Sequence, residues 1–151
     1  MARGSESVEI DRGPAAVFAA IVDVTRIGEW SPECVGARWI GDATGPAVGA
    51  KFEGDNRAEV AGITVKKWTT TSEVTEYVPD RVFAFSAEGY TTWRYELEPR
   101  GAGTLVTESF EYSAQPGAQT FIYETLLRRP AAMRKGMRRT LDRIKASVEQ
   151  S

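Results

Sequence analysis

The last third of the chain sets the problem that the rest must solve. From about Gln119 to Val148 the apolar residues fall at Ile122, Leu126, Met133, Met137, Leu141, Ile144 and Val148. The gaps are threes, fours and one seven, the period of an amphipathic helix. A helix of this length needs an apolar partner along one side. Nearly everything before it reads as strands, so the only large apolar surface on offer is the face of a sheet. One long helix laid on one curved sheet rarely fills its own interior. A pocket between the two is the expected result.

The strands can be followed along the chain. Ser7-Val8-Glu9-Ile10 alternates and reads as the first, with Met1 to Ser5 leading straight into it. Gly13-Pro14 breaks the pattern, and Pro14 suits the first position of a helix. Val17, Phe18, Ile21 and Val24 form that helix's stripe. Asp23 reads as an N-cap opening a short second helix through Ile27 to Trp30, which Ser31-Pro32 ends. Val35–Ile40, Lys51–Asn56, Ile63–Tyr77, Val82–Ala87, Thr91–Leu97 and Thr104–Tyr112 follow as strands. Their short connections carry Ala61-Gly62, Glu88-Gly89 and Pro99 to Gly103, which predicts an antiparallel meander. Pro130 should kink or interrupt the tail helix. The fold class is therefore α+β, with about seven strands, and the 151 residues suit one domain over 1–151.

Composition excludes several kinds of chemistry. The chain has no histidine and one cysteine, Cys34. Ser-His-Asp and Cys-His arrangements and histidine metal sites are ruled out, and no metal or cofactor is expected. Cys34 has no histidine to activate it and reads as an inert, small apolar residue. With no apolar h-region and no long apolar run, a cytoplasmic location is expected. Net charge is −2, unevenly spread: residues 119–151 hold 8 of the 19 basic and 3 of the 21 acidic side chains. The basic helix could touch an anionic membrane surface weakly or simply present Arg128, Arg134, Arg138 and Arg139 to water. The acidic body argues against nucleic acid. Monomer and homodimer both stay open.

Three stretches carry a resemblance. The first is Ile10, Pro14, Val17-Phe18, Ile21, Asp23 and Trp30-Ser31-Pro32; the second is Gly49-Ala50-Lys51-Phe52 with Gly54-Asp55-Asn56-Arg57. The third is Trp93-Arg94-Tyr95, Leu97, Glu98, Gly103-Thr104 and Val106-Thr107-Glu108. In this order they resemble the START-like (SRPBCC) superfamily, which includes polyketide cyclase/dehydrase and lipid-transport proteins. The likeness is greatest to small single-domain actinobacterial members. It implies a helix-grip fold: a curved antiparallel sheet wrapped around the C-terminal helix, with two short helices closing one end. It also implies an apolar small-molecule ligand, lipid-, sterol- or polyketide-like. Some members act as cyclases, aromatases or dehydratases. A carrier, an enzyme and a regulatory or interaction domain therefore remain alternatives, because one fold hosts many functions.

Strand alternation nominates the pocket wall. Trp93, Tyr95 and Leu97 share one face, as do Val106, Glu108, Phe110 and Tyr112. Phe52, Gly54 and Asn56 share another, and Trp68, Thr70, Ser72 and Val74 a fourth. The helix adds Phe121, Met133 and Met137. Aromatics with one polar tip and adaptable methionines suit an amphipathic ligand, though the same residues could simply pack a core. Trp30 reads as a lid or staple, and Trp39 could face either way. Glu108 is the weak catalytic candidate. Set among apolar side chains, it should be desolvated and hard to ionise. It could be an acid, a base, an anchor for a ligand hydroxyl, or a structural group satisfied by Asn56 or Arg57.

Overall fold

The computed structural model describes residues 2–112 and 129–150. The order is β1 (Ala2–Ile10), α1 (Pro14–Val22), a 3-10 turn (Val24–Arg26), α2 (Ile27–Trp30), β2 (Cys34–Ile40), β3 (Lys51–Val60), β4 (Ile63–Val78), β5 (Val82–Ala87), β6 (Thr91–Arg100), β7 (Gly103–Tyr112) and α3 (Arg129–Glu149). The seven strands form one antiparallel sheet in the order β1-β7-β6-β5-β4-β3-β2. Chain neighbours are therefore sheet neighbours, except that β1 joins the far side of β7. The two helices after β1 carry the chain to the opposite edge, where β2 begins the meander.

Local chemistry explains the turns. Pro14 opens α1 with its φ already set and no N–H to leave unpaired. Asp23 caps the following turn by accepting from the Thr25 amide at 3.1 Å. Ala61 and Gly62 both have positive φ (52° and 81°), which the tight β3–β4 hairpin requires. Three strands outrun their sequence pattern by three residues or more: β1 starts at Ala2, β3 continues to Val60 and β6 to Arg100. In each case pairing with a long neighbouring strand extends the element beyond its own alternating core.

The stripe on α3 is buried as its spacing predicts, with Met133, Met137, Leu141, Ile144 and Val148 all 6% exposed or less. Its lower half joins α1 and the sheet in one core with Ile10, Val17, Phe18, Leu97 and Val106. Pro130 lies within the described helix, whereas Gln119 to Arg128, with Ile122 and Leu126, lie outside the described residues. The other face of α3 runs along β1. Arg138 donates to the Ser7 carbonyl at 2.8 Å and Lys145 to the Glu9 carbonyl at 2.8 Å. Glu149 accepts from the Asp11 amide at 2.7 Å.

Candidate functional site

The candidate site is assembled by one hairpin. The β6–β7 turn places Gly101 at φ +59°, and pairing runs outward from Arg100 opposite Gly103. Residues equally distant from the turn then face each other: Leu97 and Val106, Tyr95 and Glu108, Trp93 and Phe110. On the other side of β7, β1 sets Glu6 opposite Glu108 and Gly4 opposite Phe110. Gly4 lets the Phe110 ring lie close, since a Cβ there would stand 2.8 Å from its Cε1. Phe110, Tyr112, Met133 and Met137 pack together with half-buried Trp93 beside them. The Trp93 and Phe110 rings are 5.7 Å apart, and Phe110 stacks on Tyr112 at 6.2 Å.

Glu108 lies in the middle of this face and is 4% exposed. Its Oε2 accepts from the Tyr95 hydroxyl at 2.9 Å. Its Oε1 is fully buried with no hydrogen-bond partner among the described residues. Burial pushes the carboxyl up to about 8, and the Tyr95 hydrogen bond only partly opposes this. Burial first, and then Glu108 itself, push the Tyr95 phenol well above its ordinary range. At neutral pH the pair is thus mainly a protonated acid held by a neutral phenol. Such a group can donate a hydrogen bond, and near pH 8 it can exchange a proton.

Glu108 takes neither partner that its sequence position suggests. Asn56 and Arg57 lie on β3, four strands from β7, or about 19 Å of hydrogen-bonded sheet. The Asn56 amide instead donates to Thr70 Oγ1 at 3.1 Å on the neighbouring strand. Arg57 is exposed. Tyr95 is the partner because the hairpin register puts it there. The symmetry of the Pro99–Gly103 turn was the signal that could have found it.

The nominated wall divides into three groups. Trp93, Tyr95, Glu108, Phe110, Tyr112, Met133 and Met137 come together around β6, β7 and α3. Phe52 is buried in an aromatic cluster with Trp39, at 5.6 Å, and Phe85, at 5.0 Å. Asn56 and half-buried Trp68 lie further along β3 and β4, with the Lys66 ammonium 5.4 Å from a Trp68 ring centre. Phe121 lies outside the described residues. Trp30 is 3% exposed at the end of α2, with the Arg26 guanidinium 5.0 Å from its ring. Burial raises the half-buried Cys34 thiol, which disfavours a thiolate.

Two surface depressions lie away from Glu108. One, of about 610 Å³, is bounded by the loop from Ile40 to Lys51. The other, of about 310 Å³, lies between Arg12, Ala16, Ala19, Ala20, Arg26 and Val148. The second has cationic walls, but Arg26 is committed to Glu29 and Ser147, and Arg12 to Asp11 and Glu149.

Comparison with known proteins shows the family and the fold. A family described as polyketide cyclase / dehydrase and lipid transport matches residues 1–149. A Polyketide_cyc-like protein of Corynebacterium glutamicum, solved by NMR, shares 35% identity at a TM-score of 0.67, covering 97% of this chain and 91% of that one. An AHSA1-like protein of Aeromonas hydrophila shares 23% identity at a TM-score of 0.64, covering 97% and 93%. A Nitrosomonas europaea protein shares 14% at a TM-score of 0.73, covering 99% and 95%. The last two show likeness of fold alone. No curated protein matches the sequence.

Proposed function

The chain belongs to the polyketide cyclase/dehydrase and lipid-transport family, and from that membership we propose that it binds an apolar small molecule between the concave sheet and α3. One observation carries this reading. The single buried carboxyl among the described residues lies on the same face of β7 as the cluster of Phe110, Tyr112, Met133 and Met137, with one oxygen unpaired there. A core built only for stability gains nothing from a half-satisfied acid, whereas a ligand that completes its hydrogen bonding would offset that cost. Trp93, Phe110, Tyr112, Met133 and Met137 supply the apolar contact.

The experiment is titration with a neutral apolar dye such as Nile red, alongside native mass spectrometry of freshly purified protein. Saturable dye binding by the native chain, weakened severalfold in Trp93→Ala, is expected. Equal binding by both proteins would remove this wall from the site, and no binding at all would remove the carrier reading.

A second reading rests on the same pair. Tyr95 and Glu108 are two polar groups 2.9 Å apart, which is what a cyclase or dehydratase would need to move a proton within a held chain. Turnover of a poly-β-ketone model substrate that is abolished in Glu108→Gln, with binding retained, would favour the enzyme over the carrier.

A further inference from the structure

We propose that Glu108 is a neutral hydrogen-bond donor, presenting its Oε1 hydroxyl to the carbonyl oxygen of an uncharged ligand, and that this selects against carboxylate- and phosphate-headed lipids. The inference rests on the binding reading above and specifies the ligand's polar end.

The two O–H groups of the neutral pair share one hydrogen bond, so one donor is left over. Tyr95 donates to Oε2, so that oxygen is occupied as an acceptor. A proton on the carboxyl then belongs on Oε1, the atom left without a partner among the described residues. That makes the open end of the pair a donor, suited to an acceptor such as a ketone, ester or quinone oxygen.

The exclusion follows from the surrounding charges. The buried polar and charged side chains among the described residues are Ser72, Thr104, Glu108 and Thr140, and none is cationic. From β1, half-buried Glu6 stands opposite Glu108 in register. From β6 comes Tyr95, and from β7 itself Tyr112. From α3 come Met133 and Met137, packed with Phe110 and Tyr112. Of the cations beside them, exposed Arg134 brings its Nε to Gly4 on the side that meets Phe110, and Arg138 binds the Ser7 carbonyl and Asp142. An anionic headgroup brought to Glu108 would meet a carboxyl and, among the described residues, no buried cation, and would lose its own hydration. Burial strengthens the same conclusion, because it keeps the carboxyl protonated through neutral pH. Once Glu108 ionises, the donor disappears and a carboxylate faces the carbonyl oxygen.

The test uses three probes of one shape: 2-acetylnaphthalene, 2-ethylnaphthalene and 2-naphthoate. None titrates between pH 6.5 and 9.5. Affinities would be measured by fluorescence or calorimetry at both pH values for the native chain, Glu108→Gln and Glu108→Leu. The native chain should lose about tenfold in its ketone-to-hydrocarbon affinity ratio on going from pH 6.5 to 9.5, the scale of one buried hydrogen bond. Naphthoate should bind least at pH 6.5. Glu108→Gln, whose amide still donates, should keep the ratio at both pH values. Glu108→Leu should show the low ratio at both. A native ratio unchanged with pH, or naphthoate binding as well as the ketone, would overturn the donor assignment while leaving the binding reading intact. No binding of any of the three would overturn both. If either variant fails to fold, the native pH profile decides alone.

Discussion

A buried acid that resists ionisation should leave a signature in the stability of the whole protein. Below pH 4.5 Glu108 is protonated in both the folded and the unfolded chain, so it contributes no penalty. Above that value the unfolded chain releases the proton and the folded chain holds it until about 8. The unfolded state is therefore favoured progressively as pH rises through this window, and the loss levels off once both states are ionised. One pH unit is worth about 1.4 kcal/mol, so the full interval corresponds to roughly 5 kcal/mol and the part up to pH 7 to roughly 3 kcal/mol. That is a large share of a typical total of about 5–15 kcal/mol. The window is unusually clean because the chain has no histidine. Ordinary carboxylates titrate below it and lysines above it, leaving the terminal amine and, at the upper end, the Cys34 thiol as the other groups expected to titrate there. The ion-paired carboxylates Glu29, Asp55 and Glu149 are held below their ordinary values, so their effect has the opposite sign and falls at more acid pH. Urea unfolding at pH 5, 6, 7 and 8 would measure the slope. The native chain should lose stability steadily from pH 5 to 8, and Glu108→Gln should be nearly flat and the more stable of the two at pH 8. A native curve that is flat over this range, or a Glu108→Gln curve with the same slope, would refute the burial argument.

Other outcomes follow from the same contacts. Tyr95→Phe removes the hydrogen bond that lowers the Glu108 carboxyl, so its midpoint should rise further above about 8, as read by carbon-detected NMR. Met137→Asp should unfold the protein, because it loses about 2–5 kcal/mol of packing and buries a charge at a site 1% exposed. Arg138→Ala should cost under about 1 kcal/mol, since its ion pair with Asp142 is solvated; circular dichroism melts would separate the two. Gly28→Ala should lower the melting temperature sharply, because the new Cβ would stand 2.4 Å from the Val35 carbonyl oxygen, whereas Gly13→Ala meets nothing within 4 Å and should be nearly neutral.

Periodicity made the framework legible. A helical stripe is a statement about one side of a cylinder, and Met133, Met137, Leu141, Ile144 and Val148 are buried together as that statement requires. Strand parity likewise put Glu108, Phe110 and Tyr112 on one face. Which residues on different strands meet is a matter of register, and parity says nothing about it. The Tyr95–Glu108 pair was recoverable only by folding the chain about Gly101 and Ala102 and reading off positions equidistant from that turn. The grouping of Asn56 with Glu108 failed for the complementary reason: shared orientation on a broad sheet does not imply proximity across four strands. The division of the wall into a core that joins Phe52 to Tyr95 and a second cluster of Phe110, Tyr112, Met133 and Met137 depends on sheet curvature and helix placement, which no local pattern encodes.

The contacts between α3 and β1 carry a consequence for self-association. β1 ends the sheet, and a bare end strand offers its free amides and carbonyls to any passing strand. Here Arg138 and Lys145 occupy the Ser7 and Glu9 carbonyls, and Glu149 occupies the Asp11 amide. The last turns of the helix thus act as a sheath over the sheet's margin. Replacing Lys145 and Glu149 together, which leaves the buried Val148 in place, would leave that margin able to template a second copy. The cost would be felt first in solubility and only afterwards in the melting temperature.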